Sequence, residues 1–198
     1  KRSPLAVLLA LCLAVQLCVP AAMASNRLMR AGDAAIAQIE EEEGFRAEKY
    51  SSGGKWYIGY GTECGAEDYP EGITREEAEL LLMSKVEAYE AKLNDFFGRY
   101  DVTPTQGQFD ALICFSYNFG TGWMSGTSDL VKIARGEKDA TRLEVAHAFG
   151  EWCHSGGQAQ AGLADRRLQE AAIYLDDDTR AAENEFAYLI INMESGTS

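Results

Sequence analysis

The chain has few basic residues for its length. Lysine and arginine together number 18, against 31 aspartates and glutamates, which gives a formal net charge of −13. No basic stripe is available to meet phosphates, so we expect no nucleic acid partner. Long-range attraction to an anionic cell surface is excluded as a driving force. Any polyanionic substrate must therefore be held by local contacts.

Long apolar runs are also lacking, except at the N-terminus. Lys1 and Arg2 precede an apolar stretch over residues 5–19, and small residues follow up to Ala24. This pattern predicts a secretory signal peptide over residues 1–24, whose removal changes the net charge from −13 to −15. The stretch is short for a membrane span, so a retained N-terminal anchor is the alternative. We expect a secreted protein (extracellular, periplasmic or cell-wall) with no stable membrane partner.

Cysteine is too sparse for a disulfide scaffold. Of the five cysteines, Cys12 and Cys18 fall in the signal segment, which leaves Cys64, Cys114 and Cys153. Their spacing gives no zinc signature, and we expect no metal and no other cofactor. Export permits one disulfide, and Cys64–Cys153 is one pairing. Cys114 lies in an apolar run, which is typical of a buried free thiol.

Helical patterns dominate the chain after the signal segment, and one short stretch of strand-forming residues interrupts them. Capping signals mark three helix starts: Ser25 or Asn26 before a helix to about Glu43, Thr74 before a long helix to Phe97, and Thr105 before a nearly all-apolar central helix. Shorter helices are predicted over residues 128–134, 139–152 and 163–175, and Leu28 and Leu143 are expected among the apolar positions. No repeat or linker divides the chain, which predicts one domain over residues 25–178 and a tail over 179–198.

The stretch from Glu40 to Thr62 carries the most chemical information. An acidic helix end breaks at Gly44, and a Gly-rich turn and an aromatic strand follow. Ile36, Ile39 and Glu43 lie at i, i+3 and i+7, so Glu43 shares the apolar face while the preceding glutamates point to solvent. A partly buried carboxyl at a helix C-terminus is suited to hold a proton near neutral pH, as a general acid must. We therefore expect Glu43 in an active-site cleft.

Several motifs occur in a fixed order along the chain. They are Glu43-Gly-x-Arg46-x-x-x-Tyr50 with Trp56-x-Ile58-Gly-Tyr-Gly61, Ile-Thr-Arg-Glu-Glu-Ala at 73–78, Gln-Phe-Asp-Ala-Leu at 108–112 with Tyr-Asn-Phe-Gly at 117–120, and Trp152 with Gly-Leu-x-x-Arg-Arg at 162–167 and Glu170. Together they resemble the phage T4-type lysozymes, the endolysin muramidase family, over about residues 30–175. The resemblance implies a mostly helical α+β, two-lobed lysozyme-like fold: a small β-hairpin lobe, a long interlobe helix and a helical C-terminal lobe. It also implies a monomer that hydrolyses the β-1,4 bond between N-acetylmuramic acid and N-acetylglucosamine in bacterial peptidoglycan.

The family's catalytic pattern is kept only in part. Glu43 matches the catalytic glutamate, but the positions of the family's aspartate and threonine hold Ser52 and Tyr57, and Thr62 replaces the usual histidine after Gly-Tyr-Gly. An inverting glycosidase needs a second group that activates water on the opposite face of the sugar. Ser52 can orient a water but has no useful basicity near neutral pH. The expected role of Ser52, Tyr57 or Thr62 is therefore to hold water or sugar.

Three other acids are candidates for the missing second carboxylate. Glu48, Glu63 and Asp68 all lie close in sequence to the shortened turn. Glu63 is the first choice because it directly follows the strand that leads into the cleft. If none of them acts, the alternative to a lysozyme is a catalytically weak or inactive peptidoglycan-binding module with a lysozyme fold.

The resemblance also points to supporting residues in the helical half. Asn118 ends the predicted central helix and would bind an N-acetyl or hydroxyl group of the substrate. Arg166 or Arg167 would hold Glu43 in place, because a buried carboxylate needs a partner. His147 and His154 lie seven residues apart, one in a helix and one in a turn, which does not favour a metal pair.

Overall fold

A computed structural model describes residues 28–176. The predicted signal segment (residues 1–24) and the whole predicted tail (residues 179–198) lie outside this part of the chain. The elements are α1 (Asp33–Glu43), β1 (Arg46–Ser52), β2 (Lys55–Gly59), β3 (Thr62–Cys64), α2 (Arg75–Tyr100), α3 (Gln106–Phe119), a 3₁₀ turn (Gly122–Ser125), α4 (Asp129–Ala134), α5 (Arg142–Gly150), β4 (His154–Ser155), β5 (Gln158–Ala159) and α6 (Ala161–Tyr174). This order confirms the predicted α+β fold, with a hairpin lobe, a long helix and a helical lobe.

The small lobe is an antiparallel sheet in the order β1-β2-β3. Ser52 pairs with Lys55 across a two-residue turn, Gly53-Gly54, whose φ values are 57° and 80°. Positive φ at both positions matches the twist of a tight hairpin and favours glycine. The Gly-rich turn is confirmed, and a third strand, Thr62–Cys64, follows the hairpin and completes the sheet.

Helix α1 begins later than the sequence predicted, at Asp33 rather than near residues 25 and 26. The backbone N–H groups just before it donate to distant side chains: Met29 to Asn94, Ala31 to Glu90 and Gly32 to Asp110, at 2.8, 2.8 and 2.9 Å. These acceptors satisfy donors that a helix would otherwise have used, so the segment stays extended. Leu28, expected on the apolar stripe, is 66% exposed.

Two capping boxes fix the long helix and the central helix. Thr74 accepts from the backbone N–H of Glu77 at the start of α2, and Thr105 does the same for Gln108 at the start of α3. Both boxes lie where the capping signals place them. Helix α2 has 26 residues and packs against both β2 and α3, so it joins the two lobes. Every residue of α3 from Phe109 to Tyr117 is buried, as expected of a central helix.

The helical lobe packs aromatic side chains around α3. Phe115 contacts the rings of Trp123, Phe149 and Trp152 edge-on, with centroids 5.4–5.8 Å apart. Leu143 is 57% exposed, which contradicts its expected place in the core. The buried positions of α5 centre on Val145 and Phe149, and at 3.6 residues per turn Leu143 falls on the other side of the helix, which starts at Arg142 after the Thr141 cap.

The cysteines form no disulfide among residues 28–176. Cys64 ends β3 in the hairpin lobe and Cys153 follows α5 in the helical lobe, so the pairing considered from sequence does not form. Cys114 is buried, as expected, and its thiol lies 3.6 Å from the carbonyl oxygen of Ala35. Within the described range, no helix combines the length and apolarity needed to cross a membrane.

Candidate active site

Glu43 is the last residue of α1, and its carboxyl group lies between Arg166 of the helical lobe and Gly61 of the hairpin lobe. Its side chain is 21% exposed, and Oε1 lies 2.9 Å from Nη1 of Arg166 on α6. The Arg166 side chain is only 7% exposed. A charge-assisted contact between two largely buried groups fixes the direction of the carboxyl. Arg166 is therefore the arginine that contacts Glu43.

The second carboxyl oxygen of Glu43 faces the backbone of Gly61. Gly61 has φ +74°, and a Cβ atom placed on it would lie 3.0 Å from Oε2 of Glu43. An alanine here would crowd Oε2 and would also require a left-handed backbone. The absence of a side chain at Gly61 leaves room for Oε2 of Glu43, and Gly61, unlike Glu43, lines the cavity described below.

Glu42 differs from the solvated position that the sequence indicated. It is half-buried, and burial raises the pKa of its carboxyl, with the positive charge of Arg166 acting in the opposite direction. The amide of Gln38 donates to it at 3.1 Å. Glu42 and Glu43 therefore both lie in the field of Arg166, although only Glu43 forms an ion pair with it.

Arg167 shares Glu170 with Arg166 but pairs with Asn118 rather than with Glu43. It is fully buried, and its Nη2 donates to Oε1 of Glu170 at 2.7 Å and to Oδ1 of Asn118 at 3.2 Å. Burial raises the pKa of Glu170 to about 8, against the opposing effects of Arg167 and Arg166. Arg167 therefore positions Asn118 and leaves its amide N–H groups available to a ligand.

A cavity of about 710 Å³ opens between the hairpin lobe, the middle of α2 and the end of α3. Its walls include four residues singled out from sequence: Tyr57, Thr62, Glu63 and Asn118. Its volume falls within the range typical of small-molecule sites. The structure thus brings together residues separated by 61 positions in the chain.

Ser52 lies on the same face of the sheet as Tyr57 and Glu63 but farther out. Ser52 pairs with Lys55, and Tyr57 pairs with Glu63, while Lys55 and Tyr57 are two residues apart on β2. Directly opposed residues share a face, and so do residues two apart along one strand. Ser52 is exposed at the hairpin tip and does not line the cavity, so only an extended ligand would reach it.

Glu63 is the carboxylate that lines the cavity among the described residues. Its Oε2 lies 2.7 Å from Nζ of Lys55, and both side chains are more than half exposed. The other two candidates lie outside the lining. Asp68 accepts from the backbone N–H of Gly65 at 2.6 Å within a turn, and Glu48 is exposed on β1. Of the three acids considered, Glu63 is the one that reaches the cleft.

Sequence reasoning missed the contribution of α2 to the cavity. Leu81, Lys85 and Tyr89 line it and follow one another at intervals of four residues, which places them on one helix face. That spacing was visible in the sequence, but it is equally typical of a core stripe. Nζ of Lys85 lies 3.8 Å from the centroid of the Tyr117 ring and 3.4 Å from the carbonyl oxygen of Gly61.

The inner wall of the cavity carries two polar groups with little solvent contact, the ammonium of Lys85 and the hydroxyl of Tyr117. Burial lowers the pKa of Lys85, although the negative charge of Glu43 acts in the opposite direction. Burial raises the pKa of Tyr117, whose hydroxyl donates to the carbonyl oxygen of Tyr60 at 2.6 Å. Tyr117 therefore stays protonated and ties α3 to the turn between β2 and β3.

Comparison with known proteins finds similarity to endolysins of two Bacillus phages. The chain is 33% identical over 161 residues to an endolysin of Bacillus phage B103, covering 79% of this chain and 58% of that protein. It is 36% identical over 150 residues to an endolysin of Bacillus phage PZA, covering 74% of this chain and 55% of that protein. The chain thus spans little more than half the length of these two curated relatives.

A solved structure and a family model agree with these sequence relatives. An endolysin from Escherichia coli O157:H7 phage FAHEc1 superposes with a TM-score of 0.63 and 32% identity, covering 75% of this chain and 94% of that one. The model of the family described as phage lysozyme matches residues 40–170, which include Glu43, the cavity and both arginines of α6. The chain therefore belongs to the phage lysozyme family.

Proposed function

We propose that the protein is a lysozyme, a glycoside hydrolase that cleaves the β-1,4 bond between N-acetylmuramic acid and N-acetylglucosamine in bacterial peptidoglycan. The observation that carries this proposal is the geometry of Glu43. One of its carboxyl oxygens contacts Arg166, and the other faces Gly61 at the edge of the cavity. Membership of the phage lysozyme family supports the same reaction class.

Glu43 supplies the proton in the proposed reaction. Oε2 donates it to the glycosidic oxygen as the bond to the sugar C1 breaks, and positive charge develops on the sugar ring. Glu43 is left as a carboxylate. Arg166, 2.9 Å from Oε1, stabilises this charge and keeps the group in one orientation.

Glu63 is the proposed second group. Its carboxylate lines the cavity, and in the proposed reaction it accepts a proton from a water that attacks C1 on the face opposite the leaving group. Lys55 restricts the carboxylate of Glu63 through its ion pair. Tyr57 and Thr62 provide hydroxyls for the water or the sugar, and Asn118 provides amide N–H groups for an N-acetyl oxygen.

Digestion of purified peptidoglycan followed by mass spectrometry of the soluble products tests the reaction class. We expect fragments that carry muramic acid at the reducing end. Glu63→Gln should lower the rate about 10²–10⁴-fold, the usual effect of losing a general base, whereas Ser52→Ala should change it less than threefold. Binding to the wall without any soluble product would show a peptidoglycan-binding module instead. Equal cleavage of chitin oligosaccharides would change the substrate assignment.

We also propose that the protein is exported by residues 1–24 and acts as a monomer. The N-terminal composition supports export. N-terminal sequencing of the protein recovered outside the cytoplasm should begin at Ser25, and retention in the membrane fraction would favour the anchor. Light scattering should give a single-chain mass.

A further inference from the structure

Lys85 is an ammonium group that faces the cavity without a carboxylate partner. Its contacts are the Tyr117 ring, 3.8 Å from Nζ to the centroid, and the Gly61 carbonyl oxygen at 3.4 Å. In the described part of the chain, no Asp or Glu oxygen lies within 4.0 Å of Nζ. Lys85 is half-buried, so water solvates its ammonium group only in part.

Other lysines in the described part of the chain do have carboxylate partners. Lys55, more than half exposed, contacts Glu63 at 2.7 Å. Lys132 and Lys138 both contact Asp129, at 3.1 and 2.7 Å. Acids outnumber bases by 31 to 18, so partners for a lysine are plentiful. An unpaired ammonium in the half-buried position is costly, and burial lowers the pKa of Lys85 accordingly.

The charged groups around Lys85 do not remove this cost. Glu43 is the acid whose charge acts on it most, but the nearer contact of Glu43 is with Arg166 at 2.9 Å. Glu63 acts from the sheet side and is engaged by Lys55. An ammonium has three N–H donors, the one long hydrogen bond to Gly61 uses a single donor, and the Lys85 side chain lines the cavity.

We propose that Lys85 binds a carboxylate of the wall glycan and makes the cleft selective for carboxylate-bearing strands over neutral ones. This inference rests on the proposed function, because it names the charged group of the same substrate. The carboxylate has two sources in peptidoglycan, the lactyl ether of muramic acid and the peptide stem. Lys85 would supply the local contact that an acidic protein needs to hold an acidic polymer.

Three substrates separate these sources. Glycan strands freed of peptide carry only lactyl carboxylates, the same strands after methyl esterification carry none, and intact peptidoglycan carries stem carboxylates. Hydrolysis rates and equilibrium binding are measured on each for wild type, Lys85→Gln and Lys85→Arg. Lys49→Gln is the control, because Lys49 is a cation of the hairpin lobe that does not line the cavity.

Wild type should prefer free strands to esterified strands by roughly tenfold in kcat/KM, the usual effect of a hydrogen bond to a charged group. Lys85→Gln should lose the preference, Lys85→Arg should keep part of it and Lys49→Gln should keep all of it. If wild type prefers intact peptidoglycan to esterified strands but does not prefer free strands, the carboxylate comes from the peptide stem. The proposal is overturned if Lys85→Gln discriminates as wild type does. If no protein hydrolyses any strand, the proposed function fails, and the same comparison of binding constants still decides the role of Lys85.

Discussion

Nη1 of Arg166 lies 2.9 Å from Oε1 of Glu43, which joins the first turns of α6 to the last residue of α1. The guanidinium is almost fully buried, and Nε also lies 3.6 Å from Oε1 of Glu170. The ion pair therefore does two things at once. It aims the carboxyl of Glu43, and it connects the hairpin side of the cleft to the core of the helical lobe.

Loss of Arg166 should destabilise the fold as well as the site. Arg166→Met leaves Glu43 without its partner, which should cost about 3 kcal/mol, at the low end for buried pairs because Glu43 keeps some solvent contact. A double-mutant cycle with Glu43→Gln, measured by urea unfolding, should give a coupling energy of about 1–3 kcal/mol. Additive effects of the two substitutions would show that the pair is not coupled.

Gly61 should be needed for the position of Glu43 as well as for the turn. Gly61→Ala adds a Cβ 3.0 Å from Oε2 at φ +74°, whereas Gly53→Ala adds one at φ +57° with no atom within 4 Å. Both should lose about 1–2 kcal/mol of stability through backbone strain. Only Gly61→Ala should also lose activity, by about 10–100-fold, because the acid is displaced. Equal activity of the two variants, compared at equal folded fraction, would contradict this account.

Lys85→Met should make the protein more stable at neutral pH. Burial lowers the pKa of Lys85, so its charged form is less favourable in the fold than in water despite Glu43 and Tyr117. Removing the charge should raise Tm by about 1–3 °C, a small effect because the side chain keeps solvent contact. Lys49→Met should not raise it.

The same substitution should show a defined dependence on pH. The folded protein releases the proton of Lys85 at a lower pH than the unfolded chain does, so wild type becomes more stable relative to Lys85→Met as pH rises toward 10.5. The difference in Tm should therefore shrink between pH 7 and pH 10. A difference that grows over this range would mean that the ammonium stabilises the fold.

Cys64 and Cys114 should differ in reactivity toward thiol reagents. Burial raises the pKa of both Cys64 and Cys114, but Cys64 is half-buried while Cys114 is 1% exposed. Ellman's reagent at pH 8 should modify Cys64 first and Cys114 only after unfolding, as located by peptide mapping. A disulfide-linked Cys64–Cys153 peptide under non-reducing conditions would contradict the structure.

Local signals in the sequence predicted the elements that frame the site. The capping boxes at Thr74 and Thr105 depend only on residues three apart, so the two long helices could be placed from sequence. The spacing of Ile36, Ile39 and Glu43 indicated a partly buried acid, and Glu43 is 21% exposed. These features are short-range, which is why a single sequence contains them.

Long-range contacts account for what the sequence did not predict. The segment before α1 is extended because its N–H groups meet Glu90, Asn94 and Asp110, which lie 59–78 residues away. Lys85 is spaced at four-residue intervals with Leu81 and Tyr89, a pattern that is equally typical of the buried face of a helix. These residues line a cavity only because the hairpin lobe packs next to α2. Neither relationship can be predicted from residues that are close together in the sequence.

The most direct test of the central claim compares wild type with Glu43→Gln on purified peptidoglycan. Glutamine keeps the size of the side chain but has no acidic proton to transfer, so the rate of soluble product release should fall about 10²–10⁴-fold. Binding to the wall and the far-ultraviolet circular dichroism should stay as in wild type. If folded Glu43→Gln releases product within twofold of the wild-type rate, Glu43 is not the general acid.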